Sequence, residues 1–279
     1  MSRNLLVRIA VAVPAIALVL GVVYRGGWVL AALLAILGIL GARELYDMAR
    51  LQGIAPLRSL GYLAAAAIPF ASLWARDSLI ALGALWLTAV LVAAMLARGP
   101  EGRPLTAVAV TAFGALYASG LLAFVVPIGH GIECQAHPLA SAALTVLPLA
   151  VTWIGDTCAM AAGHFIGGPK LAPVLSPKKT WAGAVGGTVG GVVAALAYGP
   201  LVLDRVAFPL KTVQLAVVGC VVAVVGQVGD LAESLLKREV GLKDSSSIIP
   251  GHGGVLDRLD SLYFVLPVSA GVFRLFGII

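Results

Sequence analysis

Apolar stretches long enough to cross a lipid bilayer recur along the whole chain, from about residue 5 to residue 277. A hydrocarbon core about 30 Å thick takes roughly 17 to 25 residues of helix. Runs of this length read as transmembrane helices. The charged fraction, 11% of 279 residues beside 60% hydrophobic, is far below the roughly 25% of soluble domains. The expected fold is all-α, a polytopic integral membrane helical bundle of about nine transmembrane helices. No internal repeat or low-complexity segment stands out, and no stretch between the apolar runs is long enough to fold alone.

Windows bounded by Gly, Pro and charge place these helices near residues 5–23, 27–48, 60–75, 78–97, 105–128, 139–163, 181–203, 212–237 and 255–277. The first has Arg3 and Arg8 ahead of its apolar run, as a signal peptide does. Val22-Val23-Tyr24-Arg25 lacks the small residues of a cleavage site, so it reads as a retained helix. An odd number of spans puts the termini on opposite sides, and Lys and Arg collect in cytoplasmic loops. Of the 19 basic residues only Arg25, Arg76, Arg205, Lys211 and Arg274 fall on the side away from the N-terminus. The N-terminus is therefore expected in the cytoplasm. The net charge of +6 does not point to nucleic acid, because the basic residues are scattered with no interleaved aromatics. Anionic lipid heads and nucleotide phosphates are the better candidates. Cys134, Cys158 and Cys220 are widely spaced, with no C-x-x-C pair, and read as packing residues.

The polar residues are unevenly placed. Residues 1–138 read as scaffold helices of Ala, Leu and Val, and residues 139–279 as the half that carries chemistry, within one integrated membrane domain. From Asp156 onward acids and bases enter the helices, where a charge at mid-membrane costs about 2.5 to 3.5 kcal/mol on insertion scales. Asp230, Glu233 and Lys237 are spaced i, i+3, i+7 and share one helical face. A water-facing salt-bridge stripe would explain that spacing; an acid as deep as Asp230 also needs a partner, most simply a metal ion. A loop follows, Lys243-Asp244-Ser245-Ser246-Ser247-Ile248-Ile249-Pro250-Gly251-His252-Gly253-Gly254, leading into a helix with Asp257, Arg258 and Asp260 in its first turns. Its glycines permit positive φ, and N–H groups there and at the helix N-terminus suit phosphate. Asp257 and Asp260 would also compensate the helix dipole, which does not account for the adjoining His-Gly-Gly. Asp230, Asp257 and Asp260 would suit Mg²⁺, which takes oxygen ligands and shares its shell with substrate phosphates.

A second cluster runs from Asp156 through Gly163, Gly167 and Gly168 to Ser176-Pro177-Lys178-Lys179-Thr180-Trp181. It is no Walker site, for the G-x-x-x-x-G-K spacing is missing. A basic, hydroxyl-bearing cytoplasmic loop remains, able to grip a triphosphate or a lipid phosphate, with positive-inside anchoring the simpler use of Lys178 and Lys179. His130 and His137 show no metal spacing and stay unassigned.

The run Ser234-x-x-Lys237-Arg238-x4-Lys243-Asp244, followed by Pro250-x-His252-Gly253-Gly254-x-x-Asp257-Arg258-x-Asp260, resembles the signature of phosphatidate cytidylyltransferases, and the stretch from Asp156 to Thr180 is also similar to that family. One position departs: Ala182 stands where many members carry Glu. The resemblance implies transfer of CMP from CTP to phosphatidic acid at the cytoplasmic face of a bacterial inner membrane, with Mg²⁺, room for a second metal ion, membrane lipids as surroundings and a homodimer as assembly. By the same resemblance Asp230 and Asp257 are metal ligands, and Lys237, Arg238 and Lys243 neutralise phosphate. Asp244 and Asp260 orient those bases or complete the metal shell, and His252, Gly253 and Gly254 shape the phosphate turn. Arg258 adds positive charge, and Asp156, Ser176, Lys178, Lys179 and Thr180 hold nucleotide or lipid head group. The rival readings are an ion-coupled transporter, since intramembrane acids also line ion pathways, and a CTP-dependent polyprenol kinase.

The topology is testable with the three native cysteines replaced by Ser. Ser247→Cys should react with a membrane-impermeant maleimide in inside-out vesicles only; labelling in right-side-out vesicles would reverse the orientation.

Overall fold

The computed structural model describes residues 3–130, 137–249, 251 and 253–279, with residues 3–12 described by backbone alone. Cys134 and His252 lie outside the described residues. Among those described, nine helical segments follow one another as expected. They are α1 (Arg3–Arg25), α2 (Gly27–Leu51), α3 (Arg58–Trp74), α4 (Leu79–Ala97) and α5 (Pro104–Ala115), the last running through a π turn at Leu116–Gly120 to α6 (Val125–Gly129). Then come α7 (Pro138–Phe165), α8 (Trp181–Tyr198), α9 (Thr212–Glu239), and α10 (Leu256–Leu259) followed by α11 (Leu262–Leu275). The spans Gly27–Leu51, Arg76–Ala97, Pro100–Gly129, Pro138–Phe165, Trp181–Val206 and Thr212–Glu239 are each long and apolar enough to cross a membrane.

Two local features differ from the sequence expectation. The stretch read as a basic loop is an antiparallel hairpin, β1 (Lys170–Ala172) with β2 (Ser176–Thr180), in which Lys170 pairs with Thr180 and Ala172 with Ser176. Gly167 and Gly168, at φ of 66° and 94°, turn the chain out of α7 into it. The final helix is also broken. A single turn, α10, ends before Asp260, whose Oδ1 accepts from the Ser261 N–H at 2.7 Å. Such a bond between neighbours competes with the helical ladder.

The chain divides into two compact units. Gly26–Val126 and Glu239–Arg258 belong to the first, Pro127–Arg238 and Leu259–Ile279 to the second, and α1 contributes to each. In the first, Tyr46 of α2 is fully buried and its hydroxyl donates to the Thr111 carbonyl at 2.8 Å. Gly61 of α3 and Gly114 of α5 face its ring so closely that a Cβ there would lie 2.0 and 2.2 Å from its atoms. Two glycines thus make the slot for one large side chain, which holds α2, α3 and α5 together.

In the second unit small residues bring helix backbones into contact, the usual means of helix association where lipid is as apolar as a side chain. A Cβ on Gly187 of α8 would lie 2.8 Å from Ala159 Cβ on α7. One on Gly219 of α9 would lie 2.7 Å from Val192 Cα and 2.8 Å from Gly191 O on α8. Gln227 of α9 adds a polar tie, its Nε2 donating to the Ala184 carbonyl at 3.2 Å.

Because those contacts are to backbone, Gly219→Ala should destabilise the detergent-purified protein by about 1–3 kcal/mol, the usual cost of overpacking. Gly21→Ala, with no atom within 4 Å, is the control. Equal melting temperatures for the two variants would refute the close crossing.

Candidate active site

The second unit gathers acids around one lysine. Strand β2 carries Lys179 to α9, where its Nζ lies 2.6 Å from Asp230 Oδ2, with side chains 26% and 35% exposed. The strand ends at Thr180, whose Oγ1 accepts from the Gly183 N–H at 3.1 Å and so caps α8. A Cβ on Gly163 of α7 would lie 3.2 Å from that hydroxyl, so its absence lets α7 pass close to the cap. Thr180 is thus spent on helix structure, while Ser176 is half-buried and Lys178 is exposed. Asp156 of α7 lies within electrostatic reach of both Asp230 and Lys179. Asp260 lies within reach of Asp230, Asp156 and Lys237. Its backbone sits against Gly229, where a Cβ would lie 2.7 Å from the Asp260 carbonyl oxygen.

Along α9 the charged face divides. Asp230 turns to Lys179 and, more loosely, accepts from Ser234 Oγ at 3.4 Å. A turn later Lys237 Nζ lies 3.0 Å from Oε1 of Glu233, which is fully buried. Burial makes this pair costly to break from one side only, about 3–5 kcal/mol in comparable cases. Arg238, next in sequence, is exposed.

The first unit contains the loop after α9. Asp257 Oδ2 accepts from the Ser245 N–H at 2.8 Å, Ser245 Oγ at 2.9 Å and the Gly254 N–H at 2.8 Å. The Ile249 N–H donates to the Gly253 carbonyl at 2.8 Å, and Gly251 and Gly253 adopt φ of 74° and 85°. The turn needs both glycines, since positive φ strains other residues. A second carboxylate comes from α2: Glu44, 1% exposed, accepts from Ser245 Oγ, Ser246 Oγ and the Val255 and Leu256 N–H groups. The N–H groups at the start of α10, expected to meet phosphate, are therefore taken by the chain's own carboxylates. A cavity of about 520 Å³ remains in the loop, lined by Lys243, Asp244, Ser246, Ser247, Gly253 and Arg258 among others.

The arrangement thus brings Asp156, Lys179, Asp230 and Asp260 together in one unit, and Lys243, Asp244, Gly253, Gly254, Asp257 and Arg258 in the other. Sequence reasoning passed over Glu44. The signal was there: an acid inside a helix, between Gly38 and Tyr46, with no basic residue at i+4. Among the described residues no three His, Cys, Asp or Glu side chains converge into a ready-made metal cage.

Fold and span lengths together define a polytopic helical membrane protein. A model of the cytidylyltransferase family matches residues 6–276. A phosphatidate cytidylyltransferase of Synechocystis is 32% identical over 288 residues, covering 94% of each chain. One of Brucella suis is 47% identical over 134 residues, 48% of this chain and 46% of the relative. One of Staphylococcus haemolyticus is 45% identical over 118 residues, 42% of this chain and 44% of the relative. The chain thus spans about half the length of the Brucella and Staphylococcus relatives. It belongs to the cytidylyltransferase family.

A double-mutant cycle on Lys179→Met and Asp230→Asn, read by unfolding in detergent, should give a coupling of about 0.2–1 kcal/mol, the range for partly exposed pairs. Coupling indistinguishable from zero would mean that Lys179 and Asp230 do not hold each other.

Proposed function

We propose that the protein transfers CMP from CTP to phosphatidic acid, giving CDP-diacylglycerol and pyrophosphate. A phosphate oxygen of the lipid attacks the α-phosphorus of CTP, and the bond from that phosphorus to the pyrophosphate oxygen breaks. The observation that carries this reading is the loop cavity, whose basic side chains and hydroxyls suit a polyphosphate, in a chain that belongs to the cytidylyltransferase family. Relatives named phosphatidate cytidylyltransferase favour this acceptor over the transporter and the polyprenol kinase.

The chemistry is positioning and charge neutralisation. Lys243 and Arg258 face the cavity and offset phosphate charge there, with Ser247 as the hydroxyl partner, the Ser246 proton being held by Glu44. Lys237, Arg238 and Lys179 are the further cations of the motif, with Ser176 and Lys178 beside them on β2. Asp244 orients the basic groups around it. His252 is assigned to the phosphate turn with Gly253 and Gly254, and Gly254 serves by shape, its N–H being held by Asp257.

Mg²⁺ fits the donor set of the second unit, where Asp156, Asp230 and Asp260 are hard oxygen donors and Lys179 is the cation paired with Asp230. Such a cation takes one or two carboxylates and fills its shell with water and phosphate, so no closed protein cage is needed. Asp230 is the principal ligand in this proposal. Asp257, assigned as the other by resemblance, has its Oδ2 engaged by three loop donors. When bound, the ion would withdraw charge from phosphate oxygens. We further propose that the chain sits in a bacterial inner membrane as a homodimer with these groups at the cytoplasmic face, where soluble CTP and a leaflet lipid both have access.

Purified protein given labelled CTP, phosphatidic acid and Mg²⁺ should yield a CMP-bearing lipid and pyrophosphate, and chelation should stop it. A CDP product would sink the reading in favour of a kinase. Asp230→Asn should lower kcat by at least about 10²-fold, as loss of a charge-stabilising group does, with the melting temperature little changed. Lys179→Ala should reduce kcat/KM more than Lys178→Ala does; equal losses would mean that β2 acts through bulk charge alone.

A further inference from the structure

Glu44 departs from the usual behaviour of an acid in an apolar helix. Its carboxylate is almost entirely out of water, where an isolated negative charge is strongly disfavoured. It is stabilised by four donors, two on each oxygen. Oε1 accepts from Ser246 Oγ at 2.7 Å and from the Val255 N–H at 2.9 Å. Oε2 accepts from Ser245 Oγ at 2.8 Å and from the Leu256 N–H at 2.9 Å. The two serines stand before the glycine turn and the two N–H groups after it, so one carboxylate clamps both ends of the loop around the cavity.

The clamp is built to close tolerance. Ser245 Oγ also lies 2.9 Å from Asp257 Oδ2, so its single proton is shared between the two carboxylates. A Cβ on Gly254 would lie 2.1 Å from Ser245 Oγ and 2.5 Å from Glu44 Oε2, so only glycine fits. Ser246 lines the cavity while it donates to Glu44. On α2, two residues beyond Glu44, the Tyr46 ring is seated in its glycine slot and fixes the helix that carries the clamp.

We propose that Glu44 is a positioning residue. It touches no substrate, but holds the two limbs of the loop so that Lys243, Arg258 and the Ser247 hydroxyl face a phosphate group in the cavity. A group acting this way sets affinity through pre-organisation, and a displacement near 1 Å is enough to lose it. The proposal rests on the reading that the cavity receives phosphate. That phosphate belongs either to the nucleotide or to the lipid.

The test is Glu44→Gln, which preserves size but turns an N–H₂ group toward loop donors, and leaves at least one backbone N–H without an acceptor. At temperatures well below the melting point of the variant, KM for one phosphate substrate should rise at least about tenfold while kcat stays within about threefold. A rise for CTP assigns the cavity to the nucleotide, and a rise for phosphatidic acid assigns it to the lipid. Unchanged KM values for both, or a fall in kcat alone, would overturn the proposal. Should Glu44→Gln not fold, Ser245→Ala makes a smaller lesion in the same network and is read by the same criteria. Binding of inorganic triphosphate, measured by calorimetry on wild type and variant, separates the two claims. Weakened binding in the variant supports Glu44 even if the wild type makes no CMP-bearing lipid, and equal binding in both refutes it.

Discussion

A carboxylate taken out of water must be met by donors or cations, and the polar architecture of this chain follows from how a few carboxylates are met. Glu233 is answered within its own helix by Lys237. Asp230 is answered by Lys179, brought by a hairpin that exists at the end of α7. Glu44 and Asp257 are answered by hydroxyls and N–H groups of the loop. Each arrangement costs conformational freedom in the segment that supplies the partners, and that cost is what gives those segments a single shape.

Glycine makes these meetings possible. The backbone of Asp260 reaches Asp230's neighbourhood because Gly229 has no side chain, and the loop reaches Glu44 because Gly254 has none. The same device, repeated along α7, α8 and α9, supplies close apolar packing in a medium that gives helices no hydrophobic reason to associate. The acid cluster and the helix packing of the second unit thus both depend on glycine, at different positions.

The distribution of donors bears on how the loop would receive the polyphosphate proposed for it. Backbone N–H groups at a helix start commonly serve anions, yet here Gly254, Val255 and Leu256 give theirs to Asp257 and Glu44. Positive charge in the cavity comes from Lys243 and Arg258. In the proposed function, long flexible side chains would provide the attraction, and the backbone the frame from which they reach.

The helical order and the lengths of the spans were legible because lipid demands about twenty apolar residues per crossing and charge marks the joints. The loop motif was legible because its glycines and charges lie at fixed offsets within one stretch of chain. The break before α11 was not, since it turns on a bond between Asp260 and its neighbour. Nor was Thr180 as a helix cap, because a hydroxyl beside two lysines reads equally well as a ligand. Glu44 showed itself only as an acid inside a helix, among Arg43, Asp47 and Arg50 that look like a solvated joint, while its partners lie some two hundred residues away. Sequence alone determined the membrane class, the helices and the stock of chemical groups, all of which depend on local composition. Which acid meets which donor was decided only by the tertiary structure, because a carboxylate's partner is set by what packing brings near it.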